Sequence, residues 1–552
     1  MGEELDQAER ALEAQELSVV QTGGFGRSTA VMAVGTTLSR LTGFLRLAAM
    51  AAALGIVAVR ADAYNVANNT PNIIYELVLG GVLTSVFVPV FVEWLGSHGR
   101  EAAWDVGRSV LSLTVVVLGS IMVFTIVAAP WIVKLYTVNV RPRNLEGERE
   151  LATFFLRWFM PQILFYGIGA VATGLLNSHR RFAVPMFAPI LNNLIVIATM
   201  AIFAAMPGPT HPTVDGVTTA QRYVLAIGTT LGVFAMTAAL WPSLRRLGFR
   251  WRWRTNWRSE PIRRIARLAA WVFVYVLVNQ LGLLQIIVLA AGHTGYTAYI
   301  SAFTFFQLPH AIFAVSIMTA LLPPLSANWA QGRAREFRQL LARGIRSTAF
   351  IVLPAALGYI VLAQPIVRLL LQHGAANAAS ADLVGDVLVY FSTGLLSFSL
   401  FQLLLRSFYA MQDTRTPALI NVGAVALNVA VNFLFFAWLG VKGLALGNTV
   451  AYTFASIVSL VVLRRRLGGL ERGYVLRGLT QVIVASVVTA GVAWVAAELV
   501  GKVVATDAAG GELLQVVVAV GAGLATYFAL ASAMHMEELA VLKRLVPARL
   551  RR

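Results

Sequence analysis

The chain has no cysteine among its 552 residues, which excludes disulfides, thiolate catalysis and cysteine-ligated metals. Charge is scarce as well: 13% of residues are charged, with 26 Asp and Glu against 44 Lys and Arg. A phosphate-binding GxxxxGKS or GxxxxGKT loop, an HExxH zinc helix and a nucleophile elbow are all missing. ATP-driven pumping by this chain and hydrolysis therefore lack support, and the sequence reads as a carrier without a cofactor, not an enzyme. No stretch is long enough for a separate soluble domain. What is abundant is apolar: 58% of residues are hydrophobic and the mean hydropathy is +0.72, far outside the soluble range. These values define an all-α, polytopic membrane helix bundle.

Apolar runs between turn signals give about fourteen spans, beginning near residues 29, 62, 105, 151, 184, 221, 264, 296, 346, 382, 417, 442, 475 and 513. The net charge of +18 is concentrated in alternate loops, among them Arg245 to Arg264, Arg333 to Arg343 and Arg464 to Arg466. The connections between those loops carry almost no Lys or Arg, apart from Arg141 and Arg143. That alternation places the basic loops in the cytoplasm and argues against nucleic acid as the partner, and the even span count puts both termini on the same side. Arg interleaved with Trp251, Trp253 and Trp257 reads as an interfacial anchor on anionic lipid. Sliding the first six spans against the next six by about 235 residues aligns TPNII with LPHAI, GREAAW with GRAREF and RFAVP with DTRTP. Two pseudo-symmetric six-helix lobes running the same way follow, with two C-terminal helices appended. The divisions are an acidic cytoplasmic tail (1–28), an N-lobe (29–248), a C-lobe with the interfacial loop (249–467), a C-terminal helix pair (468–536) and a basic tail (537–552).

Ionisable groups inside a membrane are costly, so each calls for a role. Arg40 and Arg46 lie in the first span; six residues set them roughly 120° apart, so lining one cavity requires a wide cavity or a kink near Thr42 and Gly43. In the second span Asn65, Asn69, Asn72 and Glu76 return to within roughly 40° of one line. With Asp62 and Pro71 beside them they read as the wall of a watery cavity, and interhelical glue is the rival reading. The seventh span offers Tyr275, Asn279 and Gly282 on one face with Gln280 and Gln285 nearby. The eighth offers Tyr299, Phe303, Gln307 and His310, with His310 reading as a hydrogen-bonded packing residue ahead of a proton relay. Asn421, Asn428 and Asn432 form another stripe, without a carboxylate, that fits cation binding or glue. Deep guanidinium groups select an anion, a diphosphate matches two of them, and surrounding amides suit sugar hydroxyls and peptides.

At TLSRLTGFLR, then DAYNVANNTPNIIYELVLGGVLTSVFVPVF, then FQLPHAIFAVSIMTALLPPLS, the sequence resembles the MurJ/MviN family of lipid II flippases in the multidrug/oligosaccharidyl-lipid/polysaccharide exporter superfamily. The resemblance covers nearly all of the chain after residue 28. It implies an alternating-access bundle that carries lipid II, an undecaprenyl-diphosphate-linked peptidoglycan precursor, from the inner to the outer leaflet. Membrane lipids, and cell-wall synthesis proteins as partners, fit the same role. The family's first-helix cavity arginines fall on Arg40 and Arg46, its second-helix aspartate on Asp62 and its Pro-Asn pair on Pro71 and Asn72. The chain departs from relatives at Tyr75, where they have an arginine, and at Thr304 and Gln307, where they have Arg and Glu; carboxylates of a sodium site are also missing. The alternatives are an exporter of another polyprenyl-linked glycan, a cation-coupled multidrug exporter and a non-transporting scaffold.

Overall fold

The computed structural model describes residues 34–79, 87–138, 145–179, 181–208, 217–254, 258–291, 295–504 and 509–539, and these contain no β-strand. The acidic tail 1–28, most of the basic tail, Arg141, Arg143, Trp257 and the Tyr275 side chain lie outside the described set. In chain order the helices are α1 (34–54), α2 (Val59–Leu79), α3 (Val88–Tyr136), α4 (Leu145–Phe159), α5 (Gln162–Ser178), α6 (Ala183–Ala205), α7 (Thr219–Ala238), α8 (Trp241–Arg246) and α9 (Glu260–Ala291). They continue as α10 (Tyr296–Pro309), a π-helical turn (His310–Ala314), α11 (Val315–Ala330), α12 (Ala334–Leu371), α13 (Ala378–Ser392), α14 (Leu395–Ala410), α15 (Arg415–Leu439), α16 (Val441–Leu467), α17 (Arg472–Val503) and α18 (Ala509–Ala533).

Among the described residues ten helical stretches are long and apolar enough to cross a membrane. The pair α13 and α14, bent by 50°, makes eleven. The stretches outside that set, α1, α2 and α9, carry the polar residues singled out above, and with them the bundle is consistent with the fourteen spans expected. Local chemistry sets the breaks. Gly99, at φ 82°, divides α3 into a leading segment and the crossing helix, a backbone that glycine adopts without Cβ strain. The π turn follows directly on Pro309, which has no N–H to give the helix ladder. Thr218 and Gln221 close a capping box on α7, satisfying donors that a helix start leaves free.

Apolar packing falls into separate cores. Two clusters draw on residues between Met50 and Ile265: in one the Tyr64 ring meets Phe155 and Phe159 edge to face, and in the other Phe91, Trp104 and Phe249 pack at tilted angles. The largest is built mainly from residues between Ile286 and Leu467. Smaller clusters seat α17 and α18 on α12 through Phe350, Val482 and Tyr527 and through Leu362, Ala493 and Ala519. Small residues allow the closest approaches: Gly228 and Gly232 of α7 face Thr199 and Asn192 of α6, and Gly447 of α16 faces Asn432 of α15. This is how helices pack where lipid is as apolar as their side chains.

Candidate functional site

The polar helices converge on a cavity of about 680 Å³ between the two halves of the bundle, within the size range of small-molecule sites. α1 brings Arg46, α2 brings Asn65, Asn68, Asn69 and Asn72, and α6 brings Asn193. From the other half come Asn279 and Gln280 of α9, Tyr296, Tyr299, Thr304 and Gln307 of α10, Asn421 and Asn428 of α15, and Asn448 and Tyr452 of α16. Among the described residues Arg46 is the one charged side chain in this lining and no carboxylate shares it. The helices hold their amides in place: Asn193 donates through Nδ2 to Thr42 Oγ1 at 3.0 Å and to the Ser39 carbonyl at 3.2 Å, and Asn448 donates to the Tyr299 hydroxyl at 2.6 Å.

Of the residues expected at the site, Arg46, Asn65, Asn69, Asn72, Asn279 and Gln307 line the cavity, and Arg40, Asp62, Glu76, Gln285 and His310 do not. Arg40 is exposed on α1, two turns from Arg46, within electrostatic reach of His310. The kink expected at Thr42 and Gly43 is replaced by unbroken helix, with Thr42 Oγ1 bonded back to the Leu38 and Ser39 carbonyls. Glu76 is half-buried one turn beyond Asn72. Gln285 is committed to the seam with α15: its Nε2 donates to the Val429 carbonyl at 2.7 Å, and its Oε1 accepts from Asn432 at 3.1 Å. His310 is buried against the Phe398 ring, with Nδ1 3.0 Å from Ser399 Oγ. The α15 stripe divides between cavity and seam, since Asn421 and Asn428 line the cavity while fully buried Asn432 donates to Asn428 and Gln285.

Asp62 stands in the first turn of α2 and is fully buried. Its carboxylate accepts from the backbone N–H groups of Tyr296 at 3.3 Å and Thr297 at 2.7 Å, and from the Thr297 hydroxyl. It thus caps the start of α10, where unpaired N–H groups and the helix dipole favour an anion. Asn65 donates to Thr297 Oγ1 at 3.1 Å and Asn69 to the Tyr296 hydroxyl at 2.7 Å. Nearby, Ala375 N–H donates to the Ala52 carbonyl at 2.8 Å, and Gly374, at φ +61°, passes so close to Ala52 that a Cβ would collide with its carbonyl. These bonds clasp α1 and α2 to the second half of the chain on the side away from the arginine-rich loops. Glu148, buried in the first turn of α4 within electrostatic reach of Asp62, was not singled out in the sequence, because a helix-start glutamate is ordinarily a surface residue. Asn193, Asn448 and Tyr452 were likewise missed, although the adjacent Asn192 and Asn193 and the four-residue step from Asn448 to Tyr452 on α16 were signals that could have found them.

A polytopic bundle in two halves, with a polar, singly cationic cavity between them and a clasp on one side, defines a membrane transporter. The family model described as "Lipid II flippase MurJ" matches residues 50–507, and the chain belongs to that family. A "Probable lipid II flippase MurJ" of Rhizobium meliloti (strain 1021) is 29% identical over 516 residues, covering 93% of this chain and 94% of that protein. One from Rhizobium tropici is 30% identical over 434 residues, covering 78% and 80%. The solved structure "Lipid II flippase MurJ, inward closed conformation" superposes with a TM-score of 0.74 at 18% identity, covering 92% of this chain and all of that one. An inward-facing multidrug resistance MATE family transporter of the MOP superfamily gives 0.65 at 15% identity, covering 78% and 95%.

Proposed function

We propose that this chain carries lipid II, a polyprenyl-diphosphate glycolipid, from the cytoplasmic to the outer leaflet of the plasma membrane. The observation that carries this reading is Arg46 standing among amides, without a carboxylate, in the cavity between the halves. A guanidinium in such a site pairs with phosphate oxygens, and the asparagines and glutamines offer both donors and acceptors to sugar and peptide groups. Tyr296, Tyr299 and Tyr452 give the lining aromatic faces, but a cavity for cationic drugs also calls for a carboxylate to balance the cation, and the lone charge here has the opposite sign.

In this reading the arginine-rich loops and the chain termini face the cytoplasm, and the clasp at Asp62 closes the outer side. The head group enters from the inner leaflet and reaches Arg46 while the polyprenyl tail stays in lipid. Opening of the clasp and rocking of the halves expose the head group outside. The membrane potential, worth about 2.3 kcal/mol per elementary charge per 100 mV, biases the return of the emptied, cationic cavity. Cell-wall synthesis proteins that make and use the precursor are the partners this role calls for.

The test is flipping of lipid II in proteoliposomes. Arg46→Ala should reduce both lipid II binding and flipping at least about tenfold, the scale of one lost charge-assisted contact, with Arg46→Lys in between and Arg40→Ala milder. Full activity in both alanine variants rejects the reading. Accumulation of a different lipid-linked glycan on depletion would instead assign the site to that substrate.

A further inference from the structure

Residues 247–254 connect α8 to α9, so they join the two halves of the chain, and they are tied along α3. The Arg100 guanidinium donates to the Leu247 carbonyl, and Arg108 Nε donates to the Arg250 carbonyl at 3.0 Å. Arg254 N–H donates to Ser112 Oγ at 3.1 Å, and its guanidinium pairs with Asp105 at 3.1 Å. Gly248, at φ +85°, makes the turn that drives Phe249 into the core, fully buried against Trp104 and Trp241. Held this way, the strap presents Trp251 and Trp253 outward, 43% and 53% exposed, with ring centroids 6.3 Å apart. Arg245, Arg246, Arg250 and Arg252 are exposed around them and, among the described residues, pair with no carboxylate.

The level of the strap identifies its ligand. Helix α3 is charged up to Arg108 and carries no charge from Ser109 to Val133, so Ser112 stands about 5 Å inside the apolar stretch. The strap is therefore fixed at the depth where a bilayer changes from head groups to acyl chains. Indole rings favour that depth, and guanidinium groups there meet phosphate. We infer that the Arg250 to Trp253 strap, with Arg245 and Arg246 beside it, is a binding site for the head group of an anionic phospholipid of the adjacent leaflet. Because the strap rides on α3, the bound lipid holds the first half of the molecule at a fixed depth.

The experiment uses the full chain in nanodiscs and reads tryptophan quenching by dibrominated lipids. The difference between the parent and Trp251→Phe/Trp253→Phe isolates the strap's own signal. Brominated phosphatidylglycerol should quench it at no more than about one-fifth the mole fraction needed of brominated phosphatidylcholine, since even one arginine near an anionic surface is worth about a fivefold preference. Arg250→Gln/Arg252→Gln should weaken the preference, leaving what Arg245 and Arg246 supply, while phosphatidylcholine still quenches. Equal quenching by the two lipids in the parent would reduce the strap to a plain interfacial anchor and overturn the inference. Absence of quenching by either would place the strap in water and overturn it equally. The parent comparison alone decides the matter if the arginine variant fails to fold, and neither lipid tests the cavity or its substrate.

Discussion

Single residues separate the clasp from the cavity, although both draw on one stripe of α2. Asp62 accepts three hydrogen bonds at the start of α10, two of them from backbone N–H groups that a helix start leaves without an intrahelical partner. Asp62→Asn should therefore open the clasp. The missing native cysteines allow spin labels at Val57→Cys and Ala379→Cys, exposed positions on either side of it; a longer distance in the Asp62→Asn background is expected, and an unchanged distribution contradicts the assignment. Asp413, in the turn between α14 and α15, gives a pH-dependent readout. Burial pushes its carboxyl up, but hydrogen bonds from Thr416 and the ion pair with Arg466 outweigh this and hold it below the ordinary carboxylate range. A depressed carboxyl stabilises the fold above its unfolded value, about 3.9, and loses that contribution as pH falls through the folded one. Asp413→Asn should thus lower the melting temperature at pH 7, and the gap should close on acidification below about pH 4.

At the scale of helices, a polar stripe marks a buried polar face without saying what the face meets. Asn279 and Gln285 both lie on α9, yet Asn279 lines the cavity and Gln285 bonds α15. Asn279→Leu should reduce transport, because the cavity loses one of the amides that line it. Gln285→Leu should lower stability, because it removes one of the two acceptors of the buried Asn432 amide and the bond to the Val429 carbonyl across the same seam. Thermal shift and flipping assays on the two variants check the division, and matching effects would contradict it. The α10 face shows the same limit: Gln307 reaches the cavity, whereas His310, where the π turn begins, bonds Ser399 instead. The all-helical, membrane-spanning character and the α2 stripe were legible because periodicity and hydropathy record burial. The clasp was not, since it depends on α2 and α10 meeting across 235 residues of sequence.

As a whole molecule the bundle is tied together by few charges, each with a specific partner. Arg346 of α12, buried, pairs with buried Glu538 just beyond α18 and lies 4.1 Å from the Tyr474 ring at the start of α17. This cluster fixes the last two helices to the second half. Arg346→Met should destabilise by about 3–5 kcal/mol by stranding a buried carboxylate, and adding Glu538→Leu should recover most of it; denaturation of the purified chain measures both, and a failure to recover would show that the pair does more than balance charge. A different consequence comes from the polarity of α2, which carries Asp62, Asn65, Asn68, Asn69, Asn72 and Glu76. During synthesis its partners Tyr296 and Thr297 leave the ribosome 235 residues after Asp62, roughly 10–50 s later at about 5–20 residues per second. For that interval α2 cannot be released into lipid alone, and the insertion machinery or the preceding helix must shelter it until α10 arrives.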